Sequence, residues 1–177
     1  IRTMLKDIEI ARKLGADGVV FGCLTANGEV DLTSMQILME ASKGLSVTFH
    51  RAFDVCRNPQ KALEEIIELG CNRILTSGQQ PTAEQGIGLL KELQGLAAGR
   101  ITLLAGCGVN ENNIARIAAG TGINEFHFSA RESIQSEMKF RNEVVSMGGT
   151  VHINEYERNV TSVRRVKETV EALYKGM

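Results

Sequence analysis

Two hydrophobic rhythms alternate along this chain. Stretches with apolar residues three and four apart give way to short, nearly all-apolar runs, again and again. Met4, Leu5, Ile8 and Ala11 share one face of a predicted first helix. Leu38 and Met39 follow Thr33 and Gln36, which read as a capping box. Asn58-Pro59 reads as N-cap and first helical residue ahead of Ala62, Leu63, Ile66 and Ile67. Thr82 and Gln85 repeat the capping box before Leu89, Leu90 and Leu93. Asn110 is the expected cap of a helix carrying Ile114 and Ile117. Thr161 precedes a last amphipathic run of Val163, Val166, Val170 and Leu173.

The apolar runs between these helices read as strands. Three of them share a lead-in: Leu14-Gly15-Ala16-Asp17 before Gly18-Val19-Val20-Phe21, Leu69-Gly70-Cys71-Asn72 before Arg73-Ile74-Leu75-Thr76, and Thr121-Gly122-Ile123-Asn124 before Glu125-Phe126-His127-Phe128. Two more strands, Leu45 to His50 and Ile101 to Ala105, follow Gly44 and Gly99. Each glycine stands where a helix ends in a left-handed residue. The glycines at 15, 44, 70, 99 and 122 are 29, 26, 29 and 23 residues apart, about one βα unit each. Short apolar strands alternating with helices predict a parallel sheet covered by right-handed crossovers. One domain over residues 1–177 is expected. Residues 132–160 are the least regular part, with Gly148-Gly149 marking a loop.

Composition narrows the function classes. The chain has 177 residues, 43% of them hydrophobic, and a net charge of −1. No broad field favours nucleic acid or an anionic membrane, and neither is an expected partner. No apolar run is long enough for a spanning helix. The chain opens on Ile1 rather than Met and no signal peptide follows, so its start is expected to lie inside a longer reading frame. Cys23, Cys56, Cys71 and Cys107 form no Cys-x-x-Cys pair and suggest a reducing cytoplasm rather than a disulfide framework. A closed barrel needs eight strands, and this pattern supplies five.

The segment Val47-Thr48-Phe49-His50-Arg51-Ala52-Phe53-Asp54 carries the densest chemistry. It is joined by Arg73-Ile74-Leu75-Thr76-Ser77-Gly78, Ala105-Gly106-Cys107-Gly108-Val109, Glu125-Phe126-His127-Phe128-Ser129-Ala130 and Met138-Lys139-Phe140-Arg141-Asn142. In this order and spacing the motifs resemble the CutC family of copper homeostasis proteins, over essentially the whole chain. The resemblance implies an α/β fold of the (β/α)8 TIM-barrel type, a cytoplasmic location and a role in copper handling. It also implies that the N-terminal strands of the family are absent from this chain. The five strands would then be the fourth to the eighth, ending near Cys23, His50, Ser77, Gly106 and Ser129. No reaction follows from the fold.

Strand ends of that kind are where barrel sites form. Placed there, His50 is a candidate general acid or base, with Asp54 to orient it. Arg51 is the candidate anion-holding group; the alternative is a plain Arg51–Asp54 ion pair beside a hydrogen-bonded histidine. Ser77, Gly106, Gly108 and Ser129 suit an anion, and Gly106-Cys107-Gly108 before a helix occupies the usual phosphate corner. The alternative there is an ordinary tight turn. Arg141 and Asn142 either reach a ligand over the mouth or brace a loop. Cys23, Cys107 and His127 are candidate ligands for Cu(I), which favours soft donors. Cys71 falls at the opposite end and reads as structural, and Met35 and Met39 read as core. His152 has no evident partner. Two function classes remain open: a cytoplasmic Cu(I)-binding protein, and a barrel enzyme acting on a small anionic or phosphorylated molecule. Association as a homodimer is a further expectation.

Overall fold

The computed structural model describes residues 1–151 and 153–175. Six helices and seven strands are present among them: α1 (Arg2–Lys13), β1 (Gly18–Phe21), α2 (Leu32–Ala41), β2 (Ser46–Phe49), α3 (Pro59–Glu68), β3 (Arg73–Thr76), α4 (Ile87–Ala97), β4 (Thr102–Gly106), α5 (Ile114–Thr121), β5 (Glu125–His127), β6 (Arg131–Gln135), β7 (Glu157–Thr161) and α6 (Val163–Lys175). A 3₁₀ turn over Arg51–Val55 follows β2 directly. Strands β1 to β5 form one parallel sheet in sequence order. This is the barrel-type α/β architecture that the alternating rhythm predicts. All five lead-in glycines have positive φ, from 75° at Gly122 to 84° at Gly44, so each helix ends as expected.

The sheet has two unlike faces. Val47, Phe49, Ile74, Leu103 and Ala105 point to the helical side and are buried with Leu38, Leu63, Ile66, Leu90, Leu93 and Ile117. The other face carries Val20, Thr48, Leu75 and Leu104, with Arg73 bonded to Glu125 (Nε–Oε2 2.7 Å) and Ser46 (Nη1–Oγ 3.2 Å). Strands β1 and β5 each pair on one side, so the five-stranded sheet does not close on itself. Val20 is accordingly 61% exposed.

Three caps differ from expectation. Asp31, not Thr33, caps α2, accepting from Ser34 N at 3.0 Å. Thr82 and Gln85 do bond to each other, but in a turn one step ahead of α4, whose N-cap is Gly86. Asn110, the expected cap of α5, stands three residues ahead of Asn113, the N-cap of that helix. Asn58 caps α3 as predicted, accepting from Lys61 N. The largest departure is the antiparallel ribbon β6–β7. Its strands carry no buried residue, so no inward apolar alternation marks them in the sequence.

Cys71 sits at the base of the sheet, its Sγ 3.7 Å from Met39 Sδ. Burial pushes its thiol up to about 11, from the ordinary 9.0. The native protein then keeps a proton that the unfolded chain releases, so stability is full below pH 9 and falls as pH rises towards 11. The two-unit difference amounts to about 2–3 kcal/mol. Urea unfolding from pH 8 to 11 is expected to show this decline, and Cys71→Ala is expected to flatten it.

Candidate functional site

The parallel strands all end on one side of the sheet, with β3 reaching two residues past the partner of Phe49 and β4 one residue past the partner of Thr76. Phe21 pairs with Phe49, Phe49 with Ile74, Thr76 with Ala105, and Gly106 with His127. The residues that follow therefore emerge at one rim: Gly22 and Cys23 after β1, His50 and Arg51 after β2, Ser77 after β3, Cys107 and Gly108 after β4, and Ser129 after β5. All the residues predicted to mark strand ends meet at this rim.

Asp54 organises it, in a different role from the one expected. Its carboxylate does not touch His50. It accepts from Arg51 Nε (2.6 Å), Thr76 Oγ1 (2.6 Å), Ser77 N (3.0 Å) and Gln79 N (3.2 Å). Its side chain is only 6% exposed. A buried carboxylate so saturated ties the turn after β2 to the end of β3, and has no acceptor to spare for an imidazole. The arrangement is the alternative reading of the sequence, an Arg51–Asp54 ion pair beside a hydrogen-bonded histidine, with Asp54 as the support of Arg51 rather than of His50.

His50 is set by the backbone instead. Its Nδ1 accepts from Ala52 N at 3.2 Å, which caps the 3₁₀ turn. The proton of a neutral ring is then on Nε2. Gly22 allows this fit, since a Cβ there would stand 2.8 Å from His50 Nδ1.

Arg51 is the outward-facing product of the network. Nε is held by Asp54 and Nη2 donates to Ser77 Oγ at 2.9 Å. The side chain is still 43% exposed, with the Cys107 thiol beside it. The Asp54 carboxylate holds the guanidinium firmly charged. Two signals for this arrangement were missed in the sequence: the Thr76 hydroxyl and Gln79. Gln79 has φ 57° and its Nε2 donates to Cys56 O at 2.7 Å.

The Gly106-Cys107-Gly108 corner is built differently from a phosphate cradle. Cys107 holds φ 79°, and its Sγ lies 3.1 Å from Pro81 O. Asn113 precedes α5, but its side chain bonds Glu84 Oε2, Gly108 O and Asn110 N rather than capping the helix. A carboxylate thus already stands beside the start of α5. Ser129 is exposed next to Ala130, whose φ is 46°. Non-glycine residues in left-handed backbone (Gln79, Cys107 and Ala130) therefore follow three successive strands, a concentration of strain typical of sites.

Arg141 bonds within its own segment. It donates to the carbonyls of Met138 and Ser136 and stacks 4.3 Å from the Tyr156 ring. Asn142 bonds the Tyr156 hydroxyl. Both brace the segment between β6 and β7. His152 lies outside the described residues.

The metal candidates do not converge. Among the described residues no three His, Cys, Asp or Glu side chains stand together as ligands. Cys23, Cys107 and His127 come from different strand ends without joining. Burial and the nearby Asp31 push the Cys23 thiol up, against the thiolate a metal needs. The residues present thus do not form a ready copper site. A cavity of about 550 Å³ lies at the other end of the sheet, walled by Met39, Ser42, Leu45, Val47 and Asn72, away from the rim. Among the described residues, no helix is long and apolar enough to cross a membrane.

Comparison with known proteins bears on what this rim belongs to. The CutC family model matches residues 1–132. A family protein CutC of Bacteroides thetaiotaomicron is 78% identical over 173 residues, covering 98% of this chain and 70% of the relative. One from Chromobacterium violaceum is 46% identical over the same 98% and 70%. A crystal structure of a CutC from Streptococcus agalactiae, named there for copper homeostasis, is 34% identical with a TM-score of 0.69; it covers 71% of this chain and 62% of the other. The chain thus spans less than two thirds of that structure. The native KDPGal structure shares only the fold, at 13% identity and a TM-score of 0.57, over 97% of this chain and 65% of the other. With its family model, its relatives and its barrel strands in agreement, this chain belongs to the CutC family.

Proposed function

We propose that the strand-end rim binds a small anionic molecule, a phosphate or a carboxylate, on Arg51, with His50 Nε2 as the group that moves a proton. The observation that carries this is the held, half-exposed guanidinium. Its orientation is fixed by Asp54 and Ser77 before any ligand arrives. A fork fixed in this way loses little freedom on meeting an anion. Ser129 and the Gly106-Cys107-Gly108 backbone stand on the same rim and can add hydrogen bonds. The helix dipole of α5 is not the main attraction, because Glu84 already faces it. Such a site suits proton transfer on a bound anion, the enzyme reading of this family member.

A second reading rests on the thiols. All four cysteines are free, and Cys23 and Cys107 are only partly buried at the rim. With the family's name, this supports a role in copper homeostasis in a reducing cytoplasm, with Cu(I) as cargo rather than resident ion. Binding would require these side chains to move together.

Titration calorimetry with inorganic phosphate is expected to show binding that Arg51→Ala weakens by about tenfold or more, as loss of a charge-assisted pair should. Equal affinity in the variant would remove Arg51 from the site. Asp54→Ala is expected to cost about 3 kcal/mol in urea unfolding, since it strands Arg51 and several buried donors. An unchanged midpoint would show that the network is dispensable. Cu(I) titration under reducing conditions is expected to lose stoichiometry in a Cys23→Ser/Cys107→Ser double variant; the same uptake in both proteins ends the copper reading at this rim.

A further inference from the structure

We infer that the cleft at the base of the sheet is a second ligand site, one that takes a short aliphatic amine in its ammonium form. The cleft measures about 550 Å³, within the size range of small-molecule sites. It opens between the C-terminal ends of α2 and α3, where the chain turns into β2 and β3. Met39, Leu45, Val47 and Leu69 give it an apolar wall.

One wall residue marks it as more than a surface dent. Ser42 is 2% exposed, and its Oγ is the single buried side-chain polar atom among the described residues without a hydrogen-bond partner. The backbone of Ser42 is fully used: its N–H donates to Leu38 O, and its carbonyl accepts from Leu45 N. Only the hydroxyl is spare. A buried hydroxyl left bare costs free energy, and native proteins rarely leave one so.

The charged groups around the cleft are sorted so that acceptors are left over. Arg12 reaches it from α1 but is taken up by Lys43 O and Ala41 O, at 2.6 and 2.5 Å. The Lys43 ammonium is paired with Glu40 at 2.6 Å. The Glu68 carboxylate and the carbonyls of Glu68, Leu69 and Gly70 meet no described donor. Neither α2 nor α3 carries a basic residue in its last turn. The partial negative charge at the end of α3 is therefore uncompensated within the helix.

A ligand that satisfies these groups must bring donors and positive charge. An ammonium brings both, with three N–H groups to share among Glu68, the carbonyls after it and Ser42 Oγ. A short alkyl chain would then lie on the apolar wall. An anion would meet only cations that are already engaged. The cleft shares no residue with the rim around Arg51, so each site is tested without the other.

Titration of the isotope-labelled chain with n-butylammonium chloride, up to about 50 mM and followed by amide chemical shifts, tests this. Saturable shifts are expected at the Ser42, Lys43, Gly44, Leu69 and Gly70 amides, with a dissociation constant on the order of 1 mM. Glu68→Gln, at an exposed position, should weaken binding about fivefold. Ser42→Ala, which deletes the bare hydroxyl, should weaken it about threefold. The same amide spectra should show both variants folded like the parent. n-Butanol, which keeps the alkyl chain and loses the charge, should not saturate over the same range. The inference is overturned by shifts that never saturate, by shifts centred on His50 and Arg51 instead, by equal binding of the alcohol, or by wild-type affinity in either variant.

Discussion

The Asp54 carboxylate is the constraint on which the rim depends. One nearly buried side chain accepts bonds from the guanidinium before it, the hydroxyl at the end of β3, and the amides that follow β3. Parallel strands are otherwise joined only through their ladders, and the loops beyond them are free to diverge. Here the charge must be satisfied because it is buried, and the donors that satisfy it come from two adjacent strand ends. The same bonds that neutralise Asp54 thus fix where Arg51 points. Gly86 reinforces this junction: a Cβ there would lie 1.9 Å from Ser77 O, so the chain entering α4 is pressed against the end of β3.

The sheet below explains why the chemistry gathers at one end. Side chains on the helical face are consumed by packing, and the bases of β3 and β5 are joined across β4 by Arg73 and Glu125. Polar groups without a structural partner are left to the opposite rim. The open concave face, where Val20 is exposed, belongs to the geometry of a barrel represented by five strands. Relatives that extend well past the matched length have chain available beyond it.

Much of the fold was legible because it repeats. The spacing of Gly15, Gly44, Gly70, Gly99 and Gly122 located every strand of the parallel sheet, since each glycine ends a helix in a conformation other residues resist. The ribbon was not legible, because Arg131–Gln135 and Glu157–Thr161 bury nothing and so lack the inward alternation that betrays a strand. At the site, Thr48–Asp54 stood out as a cluster, but sequence order cannot say which pairs bond. Proximity favoured Asp54 with His50; the turn instead aims Asp54 at β3 and leaves His50 to the Ala52 amide. Thr76 was hidden for a related reason, since a hydroxyl at a buried strand position reads as core until its partner is known.

The two functional readings make different demands on the same rim. An anion needs donors already in place, because each one ordered on binding subtracts from affinity. Arg51 meets that demand, being charged, half-exposed and clamped at two of its nitrogens. Cu(I) needs deprotonated sulfur within a short radius. Cys23 is pushed toward the thiol form by burial and by Asp31, while Cys107 is turned toward Pro81 O. The rim as it stands is therefore pre-organised for charge and unprepared for soft metal. Copper could gather these thiols only by moving them, Cys107 away from Pro81 O, whereas a phosphate or carboxylate would find its principal partner waiting. On energetic grounds the proposed anion is a better match to this rim than copper.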